Sequence, residues 1–165
     1  MSLTITRDRT AALMQAVDQL TKSQVLVGIP GEAPTRKPEK GEPSPPSNAV
    51  IGYLMETGAP ERNLPARPFL LPGVEAAREQ FTPRLKKAAE AAITGDAGGV
   101  EMQLQAVGLI AQNAVRAQIN DGSFAPLAER TLAARRARGR TGDKPLIDTG
   151  QLRNSITYAV QSRGV

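Results

Sequence analysis

The chain has 165 residues, 21 Lys+Arg against 16 Asp+Glu, and no Cys, His or Trp. This length suits one domain, residues 1–165, which would bury roughly 70% of its unfolded surface, and it is short for two. Without Cys or His there is no disulfide, no zinc site of the usual N/S type, no haem or iron–sulfur ligation, and no Ser-His-Asp or Cys-His catalysis.

Residues 1–9 contain no apolar stretch, which predicts no secretory signal. No apolar run approaches the ~18 residues that span a bilayer, so no membrane partner is expected. The aromatic count is low, with two Tyr and three Phe, and the net charge is +5. Together these predict a soluble, mildly basic protein with a structural or binding role, no cofactor and no enzymatic activity.

In chain order, residues 6–22 read as an amphipathic helix, with Leu13, Val17 and Leu20 on one face and Ala16 beside them. The β-branched run at 24–29 then reads as a strand stopped by Pro30-Gly31. Residues 30–47 hold six prolines and no large apolar side chain, too little apolar surface to offset the entropy of ordering. This segment is either a flexible surface loop or an arm that orders against another subunit; proline lowers the entropy lost on docking.

Ser47 or Asn48 is placed to cap a short helix carrying Val50, Ile51, Leu54 and Met55, with Gly58 to end it. Pro65, Pro68 and Pro72 predict an extended path through 63–72, in which Phe69, Leu70 and Leu71 are of the buried type and Phe69 anchors the segment. A helix follows from Pro72, favoured by Glu75 and Glu79; Pro83 either kinks it or opens a second helix capped by Thr82. Gly95 is the expected stop and Gly98-Gly99 a break. The longest helix spans 100–119, where Val100, Leu104, Val107, Ala111, Val115 and Ile119 trace one apolar stripe.

After a turn at 120–122, residues 128–137 read as a short helix and 135–144 as a basic, Gly-punctuated loop. Asp148 and Gln151 have capping-box spacing for a single helical turn over 150–154. Residues 156–160 alternate as a terminal strand able to pair with 25–29. The expected fold is therefore α+β: a long central helix and shorter helices on a small sheet that includes strands near 24–29 and 156–161, with a flexible loop at 30–47. Phe69, Leu146, Leu152 and Ile156 are expected in the core.

For chemistry, Glu75/Glu79 and Asp143/Asp148 are carboxylate pairs of a kind common on solvated surfaces. Thr149 and Ser155 have no nearby base, and capping or turn formation accounts for both. Gly28-Ile-Pro-Gly31 lacks the phosphate-loop pattern. Arg130, Arg135, Arg136, Arg138, Arg140 and Lys144 place six positive charges in fifteen residues. They form either a solvated basic loop or a surface for DNA or an acidic partner; a phosphate contact of this kind weakens steeply with salt. No aromatic residues interleave them to stack on bases. A basic DNA- or RNA-binding accessory protein using 130–144 is the alternative function.

Three stretches carry a resemblance: Ile51-Gly-Tyr-Leu-Met-Glu-Thr-Gly58; Leu64-Pro-Ala-Arg-Pro-Phe-Leu70; and Pro145-Leu-Ile-Asp-Thr-Gly-Gln-Leu-Arg-Asn-Ser-Ile-Thr-Tyr158, the last preceded by Phe124-Ala-Pro-Leu127 and Thr131. In this order they resemble the neck and tail-completion proteins, or virion morphogenesis proteins, of long-tailed double-stranded DNA bacteriophages and prophages. The resemblance covers residues 25–160. It implies a small α+β virion protein at the head–tail joint, assembled in the host cytoplasm, in a ring of six or twelve subunits or associated with one. The implied partners are a head-closure or connector protein and a tail-terminator or tail-tube protein, with genomic DNA in the channel. Under this reading Arg67, Phe69, Asp148 and Arg153 are candidate subunit or partner contacts. Arg67, framed by Pro65 and Pro68, either pairs bidentately with a carboxylate or caps a carbonyl of its own subunit. Asp148 is either the helix cap or a subunit contact.

Overall fold

The computed structural model describes residues 9–31 and 45–163. The fold is α+β: seven helices among the described residues and a two-stranded antiparallel sheet. In chain order these are α1 (Thr10–Lys22), β1 (Ser23–Gly28), α2 (Asn48–Thr57), α3 (Leu70–Ala76), α4 (Arg78–Thr94), α5 (Ala97–Asp121), α6 (Glu129–Ala137), α7 (Gln151–Asn154) and β2 (Thr157–Ser162), with a 3-10 turn at Pro60–Arg62. Residues 6–8 of the expected first helix, and 32–44 of the Pro-rich segment, lie outside the described residues.

The chain divides into two compact units. The first holds residues up to Leu26, then Ala77–Ala111 and the chain from Tyr158 onward. Its core is built on small side chains. Ala16 of α1 and Ala88 and Ala92 of α4 are almost fully buried, and Val100 and Leu104 of α5 complete the centre. Leu20, Val25 and Val160 pack around them. Gly95 ends α4 at φ 76, the left-handed stop expected of it.

The start of α5 departs from expectation. Gly98-Gly99 do not break the chain but lie in its first turn. Asp96 accepts the Gly99 N–H at 2.8 Å, the bond that an N-cap residue makes. Pro83 does not open a helix either. The break falls six residues earlier, at buried Ala77, and Pro83 sits inside α4. The acceptor it leaves without an intrahelical partner is the Glu79 carbonyl, on an exposed residue that water can serve. Thr82 turns its hydroxyl back to the Arg78 carbonyl instead of capping.

The second unit holds Val27–Ala76 and Gln112–Thr157. Phe69, Val115, Ile119, Leu146, Leu152 and Ile156 are its buried core, and Ile29, Ile51, Met55, Leu70 and Phe124 pack against it. Ser47 caps α2 by accepting the Val50 N–H at 3.3 Å. All six residues of the α5 stripe are buried, and they serve both cores: Val100 and Leu104 in the first, Val115 and Ile119 in the second.

The extended path predicted for 63–72 ends early, because α3 begins at Leu70. Leu71 consequently points outward and is 73% exposed. At the far end, α7 begins after Gly150, which has no side chain to cap it. The Asp148–Gln151 capping box does not form, since other partners hold the Asp148 carboxylate.

Candidate functional site

The second unit contains a hook in the backbone between α2 and α3. Gly58 ends α2 at φ 75. The chain then turns through Pro60–Arg62 and returns, so that Ala59 and Leu64 exchange backbone hydrogen bonds of 2.9 and 3.1 Å. The Arg67 N–H donates to the Met55 carbonyl at 2.7 Å and closes the hook. Pro65 and Pro68 keep the returning strand extended.

Glu56 locks its far end. One carboxylate oxygen accepts the Phe69 and Leu70 N–H groups at 2.7 and 2.9 Å, and the other accepts the Leu71 N–H at 3.1 Å. A helix start leaves its first N–H groups without intrahelical partners, and a negative charge there is favourable. Glu56 thus caps α3 from another helix. Sequence reasoning placed Glu56 in a motif and gave it no role. Capping signatures are local, within three residues, whereas this cap reaches across 13 to 15. We expect Glu56→Gln, which keeps the shape and loses the charge, to destabilise the protein by about 1–2 kcal/mol in urea unfolding.

Arg67 is 4% exposed. Its Nε donates to the Ala125 carbonyl at 2.8 Å and its Nη2 to the Pro126 carbonyl at 2.9 Å. Of the two expectations for this side chain, the carbonyl cap is the one formed. Among the described residues no carboxylate is its partner, and the guanidinium ties the hook to the segment leading into α6. Burial holds its pKa below the usual arginine range. Phe69 beside it is 2% exposed and belongs to the core, so it presents no contact surface.

The other two candidate contact residues also turn to their own chain. Asp148 accepts from Arg140 Nη1 at 2.7 Å and lies 3.5 Å from Arg135 Nε. Arg153 Nη1 donates to Asn120 Oδ1 at 3.2 Å. The Lys144 ammonium donates to the Asn120 carbonyl at 2.7 Å, so two cations meet the C-terminal end of α5, where the helix dipole favours them.

The basic set 135–144 therefore divides. Arg135 stands on α6, 7% exposed, and is no loop residue facing solvent. Its Nη1 lies 2.9, 3.0 and 3.0 Å from the carbonyls of Gly142, Lys144 and Ile147, and its two N–H groups serve all three by sharing one hydrogen. With five donors on a rigid fork, arginine can serve several carbonyls at once. Arg135 organises the loop from within, and this corrects the expectation that it contacts DNA. Arg136 pairs with Glu129 at 2.8 Å, both well exposed, an arrangement worth little. Arg130 and Arg138 are exposed on the surface. Several of the six charges thus have carboxylates or carbonyls of this chain beside them.

The small hydroxyls do structural work. Thr149 Oγ1 accepts the Gln151 N–H at 3.4 Å, and Ser155 Oγ donates to the Leu152 carbonyl at 2.7 Å. Open depressions lie on this unit, and two of them border the hook and the Arg135 loop. One is lined by Ile51, Met55, Leu146 and Leu152 beside Arg135 and Asp148, the other by Ile29, Gly52, Tyr53, Phe69 and Leu70. Among the described residues no three His, Cys, Asp or Glu come together to hold a metal ion, and no helix is long and apolar enough to cross a membrane. Comparisons with protein-family models, with curated proteins and with solved structures gave no match.

Proposed function

We propose that this chain is a structural subunit of the head–tail joint of a long-tailed bacteriophage, forming or joining a ring that completes the tail and connects it to the head. DNA passes through the channel, and the chain itself makes and breaks no bond. Its partners are a head-closure or connector protein on one side and a tail-terminator or tail-tube protein on the other.

One observation carries the reading. The third of the stretches on which the resemblance rests lies 75 residues beyond the second, and all three meet in one core. Ile51 and Met55 of the first, Phe69 of the second, and Leu146, Leu152 and Ile156 of the third pack together. Arg67 of the second also holds the 124–127 segment that precedes the third. A hook fixed at both ends loses little entropy when it docks, which is what a repeated assembly contact requires. Deleting the gene from its phage is expected to leave filled heads beside unattached or aberrant tails in electron micrographs. Normal infectious particles would reject the proposal.

The exposed Arg130, Arg136 and Arg138 keep a second reading in play, that of a DNA- or RNA-binding accessory protein. An informative variant leaves the buried Arg135 intact and replaces those three with alanine. On the head–tail reading, a gel shift with duplex DNA shows at most weak binding that disappears on raising salt. Tight binding at physiological salt, lost in the triple variant, would favour the second reading.

A further inference from the structure

We propose that the outer shoulder of α4 is a two-fold docking face on which a second copy of this chain packs antiparallel through Leu85, Ala89 and Ile93. Helix α4 gives Ala88 and Ala92 to the core of the first unit. Beside them, at four-residue spacing, runs another apolar stripe that nothing in that core covers. Leu85 is 41% exposed, Ile93 is 71% exposed, and Ala89 between them is half-buried. Residues four apart share one helix face, so the three form a continuous row.

The flanking charges identify the occupant. Lys86 and Glu90 lie along the same edge of the row at i, i+4 spacing, and among the described residues neither makes an ion pair. Laid antiparallel about a two-fold axis at Ala89, a second α4 sets Leu85 against Ile93 of the second copy. The same placement sets Lys86 against Glu90 of the second copy, and symmetry repeats that pair. A parallel two-fold placement sets opposite edges of the two helices together, so Lys86 and Glu90 of the two copies do not meet. The edge is thus complementary to itself in one orientation only. A single helix face buries an area at the small end of specific interfaces, so the pair depends on protein concentration. This inference does not rest on the head–tail reading: a two-fold contact stops at two copies, whereas a ring is built from head-to-tail contacts.

Sedimentation velocity of the full chain, from low micromolar to near-millimolar concentration, tests it. The expected result is a shift from monomer to dimer. Ile93→Glu, at an exposed position, should weaken the dimer about tenfold or more. Lys86→Glu and Glu90→Lys should each weaken it, and the double variant should recover most of the loss. Because the chain has no cysteine, Ala89→Cys on the axis should cross-link rapidly to a covalent dimer with copper–phenanthroline as oxidant. Ile93→Cys, off the axis, should do so slowly. A monomer at every concentration, a dimer indifferent to Ile93→Glu, or a double variant no better than the singles would overturn the proposal. A larger ring untouched by Ile93→Glu would overturn it too, while leaving the head–tail reading standing.

Discussion

Replacing Arg135 with alanine is expected to cost about 2–3 kcal/mol of stability, read as a lower midpoint in urea unfolding. The side chain is 7% exposed, and three carbonyls from a single loop converge on one of its nitrogens. Truncation leaves those carbonyls without their donor and removes a cation from beside Asp148. Gly142 and Lys144 are exposed and water can serve their carbonyls, so most of the cost falls on the half-buried Ile147 carbonyl and on the lost packing of the side chain. Arg135→Lys should restore little: one ammonium has the charge but not the planar fork. Arg136→Ala, at a surface pair, should change stability by less than about 0.5 kcal/mol. The contrast between these neighbours separates the buried organiser from the solvated charges around it.

Gly58→Ala should cost about 3 kcal/mol or more, by two additive routes. The residue sits at φ 75 and ψ 177, a region essentially restricted to glycine, where a side chain costs about 1–3 kcal/mol. A Cβ there would also lie 2.7 Å from the Ala66 nitrogen and 3.0 Å from the Leu64 oxygen, both backbone atoms of the returning strand. Backbone cannot rotate aside as a side chain can, so the hook itself must open. Gly139 provides an uncrowded comparison at positive φ. It has φ 72 and nothing within 4 Å of its added Cβ, so Gly139→Ala should show the backbone contribution alone, about 1–2 kcal/mol. Thermal unfolding of the pair measures how strongly the hook closes.

What the sequence disclosed follows the range of the forces involved. The buried stripe from Val100 to Ile119 was legible because a 3.6-residue period is written into the chain itself. Ser47 and Gly58 were legible as the ends of α2 because capping acts within a few residues. The end of α3 was not, since Ala77 carries no stop signal and its burial reflects packing by distant residues. The start of α5 shows a weaker local signal overruled by a stronger one. Asp96 stood in cap position, but Gly98-Gly99 pointed to a break. The charged residues show the limit most clearly. The partners of Arg67 lie 58 and 59 residues away, and those of Glu56 lie on the far side of a turn. Composition reveals that a cation is present. Only the fold reveals whether it faces water or holds a loop from inside.

The alanine-built core of the first unit has a dynamic consequence. A buried methyl removes far less apolar surface from water than a buried isoleucine or phenylalanine, so the helix pair formed around Ala16, Ala88 and Ala92 is held by small increments. Such a pair parts in local openings of low free energy, well below that of global unfolding. Backbone amides of α1 should therefore take up deuterium much sooner than those around Val115 and Ile119, whose neighbours include Phe69 and Ile156.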